Sequence, residues 1–129
     1  MNDLEMFLAL PDVNSIEKEI FVSKRLGNFK IRAMTSEEFS EYQKRCTKKV
    51  NKKGLDIDIN KLNTLIVAGQ VIAPDFSNAE FLKKVNCSTA TEFISKKLLI
   101  GEIAEISRQV QILSGFDEDI TEDIDEAKN

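Results

Sequence analysis

Histidine and tryptophan are absent from this 129-residue chain. The first absence removes the side chain best suited to moving protons and ligating metals near pH 7. Only two cysteines are present, Cys46 and Cys87, 41 positions apart and in no CxxC pattern. Neither a zinc site nor a Cys-His nucleophile can be assembled from them, and they read as buried or half-buried reduced thiols. Five glycines and two prolines leave few breakers, which favours helices joined by short connections. The longest apolar stretch, LNTLIVAGQVIA, is interrupted by Gln70 and falls short of the roughly 20 residues that a membrane span needs. MNDLEMFLALPDV opens with acidic residues and too short an apolar run for a signal peptide, so the expected location is cytoplasmic.

What remains is a chain of one-domain length with 42% apolar and 31% charged residues, enough for a core of its own. The net charge of -4 is unevenly placed. Residues 116–129 hold seven acids against Lys128, a tail of -6 on a body of +2. The tail, read as residues 117–129, is expected to be disordered outside the fold. DEDITEDIDE lacks the glycine and ligand spacing of a calcium loop, and no metal ligands are assigned.

Residues 1–15 form an arm in which Leu4, Met6, Phe7, Leu8 and Leu10 precede Pro11, suited to dock on the body or on a partner. Apolar-polar alternation about Ile20 and Val22, and again about Phe29, Ile31 and Ala33, predicts a β-hairpin over about 19–33, turning near Gly27-Asn28. TSEE places Thr35 and Glu38 as a capping box for a helix over 36–48. A second helix is expected over 60–73, central to the core and stopped by Pro74. Between them lies a polar loop with a short extended piece at Leu55 to Ile59. SNAE (Ser77, Glu80) and TATE (Thr89, Glu92) cap helices over 78–85 and 89–99. A last helix over 102–114 follows a break at Gly101 and is closed by Gly115. The predicted fold is α+β and mainly α: a hairpin, then a compact bundle of four to five short helices, all within residues 16–116.

No catalytic residues can be assigned, and the capping glutamates already have structural work. The seam Leu99, Ile103, Ile106, Val110, Leu113 repeats at steps of four and three, the stripe of a packed helix. Burial in the chain's own core and contact with a partner are both open to it. Ile100 and Ile112 lie off the stripe and offer a second apolar edge for helix packing on a partner. The candidate partner-binding set is therefore Phe93, Ile100, Ile103, Ile106, Val110, Ile112 and Phe116. Six bases between Lys44 and Lys53 supply the alternative, a small nucleic-acid-binding regulator. Aromatic interleaving is missing from that segment, and nucleic acid is not the expected partner.

The chain also resembles the XkdN-like phage tail assembly chaperones of myophages and defective prophages. The resemblance rests on FVSKRLGNFKIRAMTSEEFSEYQKRCT, APDFSNAEFLKKVNC and LLIGEIAEISRQVQILSGFDEDITEDIDEAKN, in that order along nearly the whole chain. It implies a non-enzymatic, cofactor-free role: keeping the long helical tape measure protein soluble until the tail tube forms around it. Tail tube protein and a frameshifted longer form of the chain are further partners it implies. Ala-Lys-Asn at residues 127–129 is compatible with a slippery codon run. Family members often carry a proline or small residue just before the glycine of GEIAEIS, where this chain has Ile100. One continuous kinked helix from Thr89 to Ser114 is therefore a second possibility.

Overall fold

The structure, a computed structural model, describes residues 3–49 and 55–117. Helix α1 (Asp3–Leu8) is followed by a single 3-10 turn at Val13–Ser15, then strands β1 (Glu17–Ser23) and β2 (Gly27–Arg32). Helix α2 (Ser36–Cys46), strands β3 (Thr47–Lys49) and β4 (Leu55–Ile57), and helix α3 (Ile59–Gln70) come next. Strand β5 (Val71–Ala73), α4 (Ala79–Lys84), α5 (Ala90–Lys97) and α6 (Ile100–Leu113) complete the order. The architecture is α+β and mainly helical, with the expected N-terminal hairpin.

Alternation in β1 and β2 sends Ile20, Phe29 and Ile31 to one face, where all three are buried. The strands pair antiparallel from Glu17↔Arg32 to Ser23↔Gly27, with a bulge between Phe21 and Ser23. The turn occupies residues 24–26, slightly before the expected Gly27-Asn28, because the Ser23 hydroxyl accepts the Leu26 N–H at 3.1 Å. Gly27 leaves the turn at φ +76°, a conformation that strains any residue with a Cβ.

The predicted helix over 60–73 ends early. It stops at Gln70, and Val71–Ala73 instead pairs antiparallel with β2 (Lys30↔Ala73, Ile31↔Val71), giving a three-stranded sheet of order β1-β2-β5. Gln70 makes the switch possible. Fully buried, it donates through Nε2 to the Ala33 carbonyl at 3.1 Å and accepts the Tyr42 hydroxyl at 2.7 Å. Helix α2 is likewise shorter than 36–48, since Thr47–Lys49 pairs with Leu55–Ile57 as a second small sheet.

Caps set the remaining boundaries. Thr35 and Glu38 form the expected box, with reciprocal bonds of 3.1 and 2.9 Å. Thr89 Oγ1 accepts the Glu92 N–H, while Glu92 reaches back one residue further, to the Ser88 N–H. Ser77 does not cap α4: its own N–H is held by Asp75, and Asn78 Oδ1 accepts the Phe81 N–H at 3.0 Å, so Glu80 merely sits in the first turn. Gly101 is not the joint between the last two helices. Leu98 and Leu99 are extended and make the break, and Gly101 lies inside the first turn of α6. The kinked continuous alternative is excluded by the same two residues. Gly115 closes α6 at φ +104°, with Gly115 N–H to the Ile112 carbonyl and Phe116 N–H to the Gln111 carbonyl, the paired bonds of a Schellman ending.

The core lies between the sheet and α3, α5 and α6. Helix α3 buries Leu62, Leu65, Ile66 and Val67, as its apolar circumference predicts, and α6 lays Ile103, Ile106 and Val110 against it. Cys46 is buried and Cys87 half-buried, both as free thiols. Among the described residues no helix is long and apolar enough to cross a membrane, and no cluster of His, Cys, Asp and Glu could hold a metal ion.

Candidate partner-binding groove

An apolar groove of about 420 Å³ opens where the hairpin turn meets the chain after β5. Leu26 and Phe29 come from the hairpin, Pro74 and Phe76 from the segment after β5, and Phe81 and Phe93 from α4 and α5. The rings support one another. Phe29 meets Phe76 edge-on at 5.6 Å, Phe76 lies 5.7 Å from Phe93, and Phe93 meets Phe81 edge-on at 4.8 Å. Such contacts hold each ring in place beyond what burial alone provides. The Ala73–Pro74 peptide bond is cis. Arg25, Asp75 and Lys97 form the polar rim.

One wall of the groove is strapped to α6. Glu102, on the first turn of α6, is 7% exposed and gathers four donors: Arg25 through two nitrogens, Ser23 Oγ at 2.8 Å, and the Leu99 N–H at 2.8 Å. The Arg25 guanidinium is the main cause that holds the Glu102 carboxyl down at about 2, against the opposing effect of burial. Arg25 is itself raised by the same pairing, and one of its nitrogens also bonds the Lys97 carbonyl at 3.0 Å. The hairpin turn, the end of α5 and the start of α6 are thereby joined at one point.

The candidate partner-binding residues separate into different places. Ile103, Ile106 and Val110 face inward and are buried in the core; Ile106 and Val110 have no exposure, while Ile103 also lines the polar concavity beside Ile100. Phe93 lines the aromatic groove. Ile100 is exposed and borders a more polar concavity of about 370 Å³ between α3 and α5. Phe116 packs edge-on against Phe39 at 5.5 Å in a third, smaller recess, and Ile112 is half-buried. Leu99, assigned to the seam, is instead exposed.

Phe29, Phe76 and Phe81 were not among the expected contacts. Their signal was spatial: they stand on three different segments, and the strand at Val71–Ala73 brings Phe76 beside Phe29. The β-branched Val71-Ile72 pair before Ala73-Pro74 is the trace of that strand in the sequence. The basic segment is divided. Lys44 and Arg45 end α2 and are exposed, Lys48 and Lys49 lie in β3, and residues 50–53 lie outside the described residues, as does the tail from 118 onward.

No curated protein matches the chain. The crystal structure of the protein yqbn superposes with a TM-score of 0.67 over 91% of this chain and 99% of that one, at 21% identity. That similarity establishes a shared fold. The profile of the phage XkdN-like tail assembly chaperone proteins matches residues 4–128. With residues 4–128 matched, the chain belongs to the phage XkdN-like tail assembly chaperone family.

Proposed function

We propose that this tail assembly chaperone works in the host cytoplasm and keeps the tape measure protein soluble by covering one of its apolar helical segments in the aromatic groove. The observation that carries this reading is the groove itself: Leu26, Phe29, Phe81 and Phe93 surround an open apolar space of about 420 Å³, room for the anchor side chains of a helix. A tape measure segment that leaves its apolar face in water would associate with its own kind. Covering that face needs shape and apolar area, not a nucleophile. The acidic tail adds charge that holds complexes apart. Tail tube protein and a frameshifted longer form of the chain are further partners on this reading.

Co-expression with the tape measure protein tests it. Phe81→Asp and Leu26→Asp, each at a half-buried groove position, should move the tape measure protein from the soluble to the insoluble fraction. Their circular dichroism melts must stay cooperative for the result to count. Ile100→Asp, at the separate polar concavity, should leave solubility unchanged. Retention of a soluble complex by folded groove variants would refute the groove as the client site.

A further inference from the structure

The body's positive charge is gathered in one place. Residues 1–43 carry a net side-chain charge of -3 and residues 62–115 are neutral, while residues 44–61 carry +5. That stretch joins α2 to α3. Lys44 and Arg45, in the last turn of α2, and Lys61, in the first turn of α3, are all exposed. The β3–β4 pairing and the bond from the Asp58 N–H to the Cys46 carbonyl, at 2.9 Å, bring the two helix ends together. Burial raises the Cys46 thiol, and the charges of Lys61 and Arg45 both act against that rise, so the two cations stand at one corner. Among the described residues, Lys44, Arg45 and Lys61 make no ion pair, in contrast to Arg25, Lys30, Arg32, Lys96 and Arg108. We propose that this basic corner receives the chain's own acidic tail, residues 118–129, which shields it from other polyanions.

The tail starts close by. Phe116, the last ring before it, lies 5.5 Å from Phe39 in the first half of α2. From Phe39 to Arg45 the helix rises about 9 Å, at roughly 1.5 Å per residue. The twelve residues after Asp117 can extend to about 40 Å. Reach alone admits other surfaces as well, and charge decides among them. Glu37, Glu38 and Glu41 occupy the first half of α2, nearest the tail's origin, and repel it. In residues 62–115 the bases are matched in number by acids, and Lys96 and Arg108 are already paired. Only the corner between α2 and α3 offers a surplus to the six acids of residues 118–129.

Tethering settles whose tail it is. A segment joined to the body at Asp117 meets its own corner at an effective concentration of about millimolar, far above that of a second copy in dilute solution. The attraction acts between net charges and asks no single geometry of the tail. It also accounts for how a stretch with seven bases can sit in a chain that does not serve nucleic acid: phosphate must first displace the tail. The contact is independent of the aromatic groove and of what the groove holds.

Spin labelling of the full chain tests the contact. In a Cys87→Ser background, where the remaining Cys46 is buried, Thr121→Cys carries a nitroxide. The amide resonances of Lys44, Arg45 and Lys61 should broaden in about 50 mM salt and recover in about 500 mM, where the screening length is roughly 4 Å. They should also recover when Glu122→Gln, Asp123→Asn, Asp125→Asn and Glu126→Gln discharge the tail without touching the folded residues. Resonances that stay sharp at low salt would overturn the contact. Spin-labelled chain mixed with isotope-enriched chain that carries no label should leave the same resonances sharp, and broadening in that mixture would put the tail on a second copy and overturn the intramolecular reading. Shielding is read with a single-stranded oligonucleotide. The discharged tail should bind it about tenfold tighter, as expected of a corner covered about nine-tenths of the time, and adding Lys44→Glu, Arg45→Glu and Lys61→Glu should cancel the gain. Equal affinity of the two tails, or a gain that survives the three reversals, would overturn the shielding.

Discussion

Replacing Glu102 by glutamine keeps its shape but removes the charge that straps the hairpin turn to α6. Holding a carboxyl at about 2 in place of its ordinary 4.5 corresponds to a ceiling of about 3 kcal/mol, at 1.36 kcal/mol per pKa unit. Arg25 is 50% exposed, and solvent screening lowers that ceiling, so we expect a loss of about 1–2 kcal/mol at pH 7. The sign follows from the depressed value. The contribution is complete above the unfolded carboxyl's pKa and is lost as pH falls from about 5 towards 2. At pH 3 roughly two fifths of it should survive. Urea denaturation of both proteins, followed by circular dichroism between pH 7 and pH 3, measures the gap directly. A gap that stays constant down to pH 3, or its absence at pH 7, would refute the assignment of the strap to ionised Glu102. Arg25→Met should also lower stability at pH 7, and combining the two should cost clearly less than the sum of the single losses.

Gln70→Leu removes one of the two side-chain donors to the Ala33 carbonyl, which keeps Asn14, and the acceptor of the Tyr42 hydroxyl, and should cost about 1–3 kcal/mol in urea melts. Adding Tyr42→Phe should recover part of that loss, because a hydroxyl is no longer left unpaired. Gly115→Ala forces a Cβ onto φ +104° and should lower stability by about 1 kcal/mol or more, read as a lower urea midpoint with an unchanged slope. Ile106→Asp places a charge at a position with no exposure and should abolish cooperative unfolding, whereas Ile100→Asp should leave the melt nearly unchanged.

What could be read from the sequence was what local chemistry decides. Alternation around Ile20, Phe29 and Ile31 gave the hairpin, because one face of a strand must be buried and a strand's side chains alternate. Thr35 with Glu38 marked a helix start for the same local reason, and Gly115 marked the end. The third strand escaped because Val71 continues the apolar stripe of α3, and what turns the chain there is non-local: the pairing of Val71–Ala73 with β2 and the bond of Gln70 to Ala33, 37 residues away. The α6 seam was visible, but periodicity does not say whether a stripe faces its own core or a partner. The groove was least legible. Its rings, and the Arg25–Glu102 strap that spans 77 residues, exist only after the chain has folded.

The junction from α3 to β5 carries a consequence for which changes of length this chain can absorb. With only two register pairs holding β5 to β2, the strand's alignment depends on Gln70 being the last helical residue. One residue inserted between Val67 and Gln70 would turn Gln70 away from the Ala33 carbonyl, and one inserted between Gln70 and Val71 would invert the faces of β5 and carry Phe76 out from beneath Phe29. The same insertion after Asn86, whose left-handed backbone already ends α4, would lengthen a surface connection and leave both sheets in register. Tolerance to insertion should therefore be sharply unequal across these two joints, and a scan of single-residue insertions would draw the map of it.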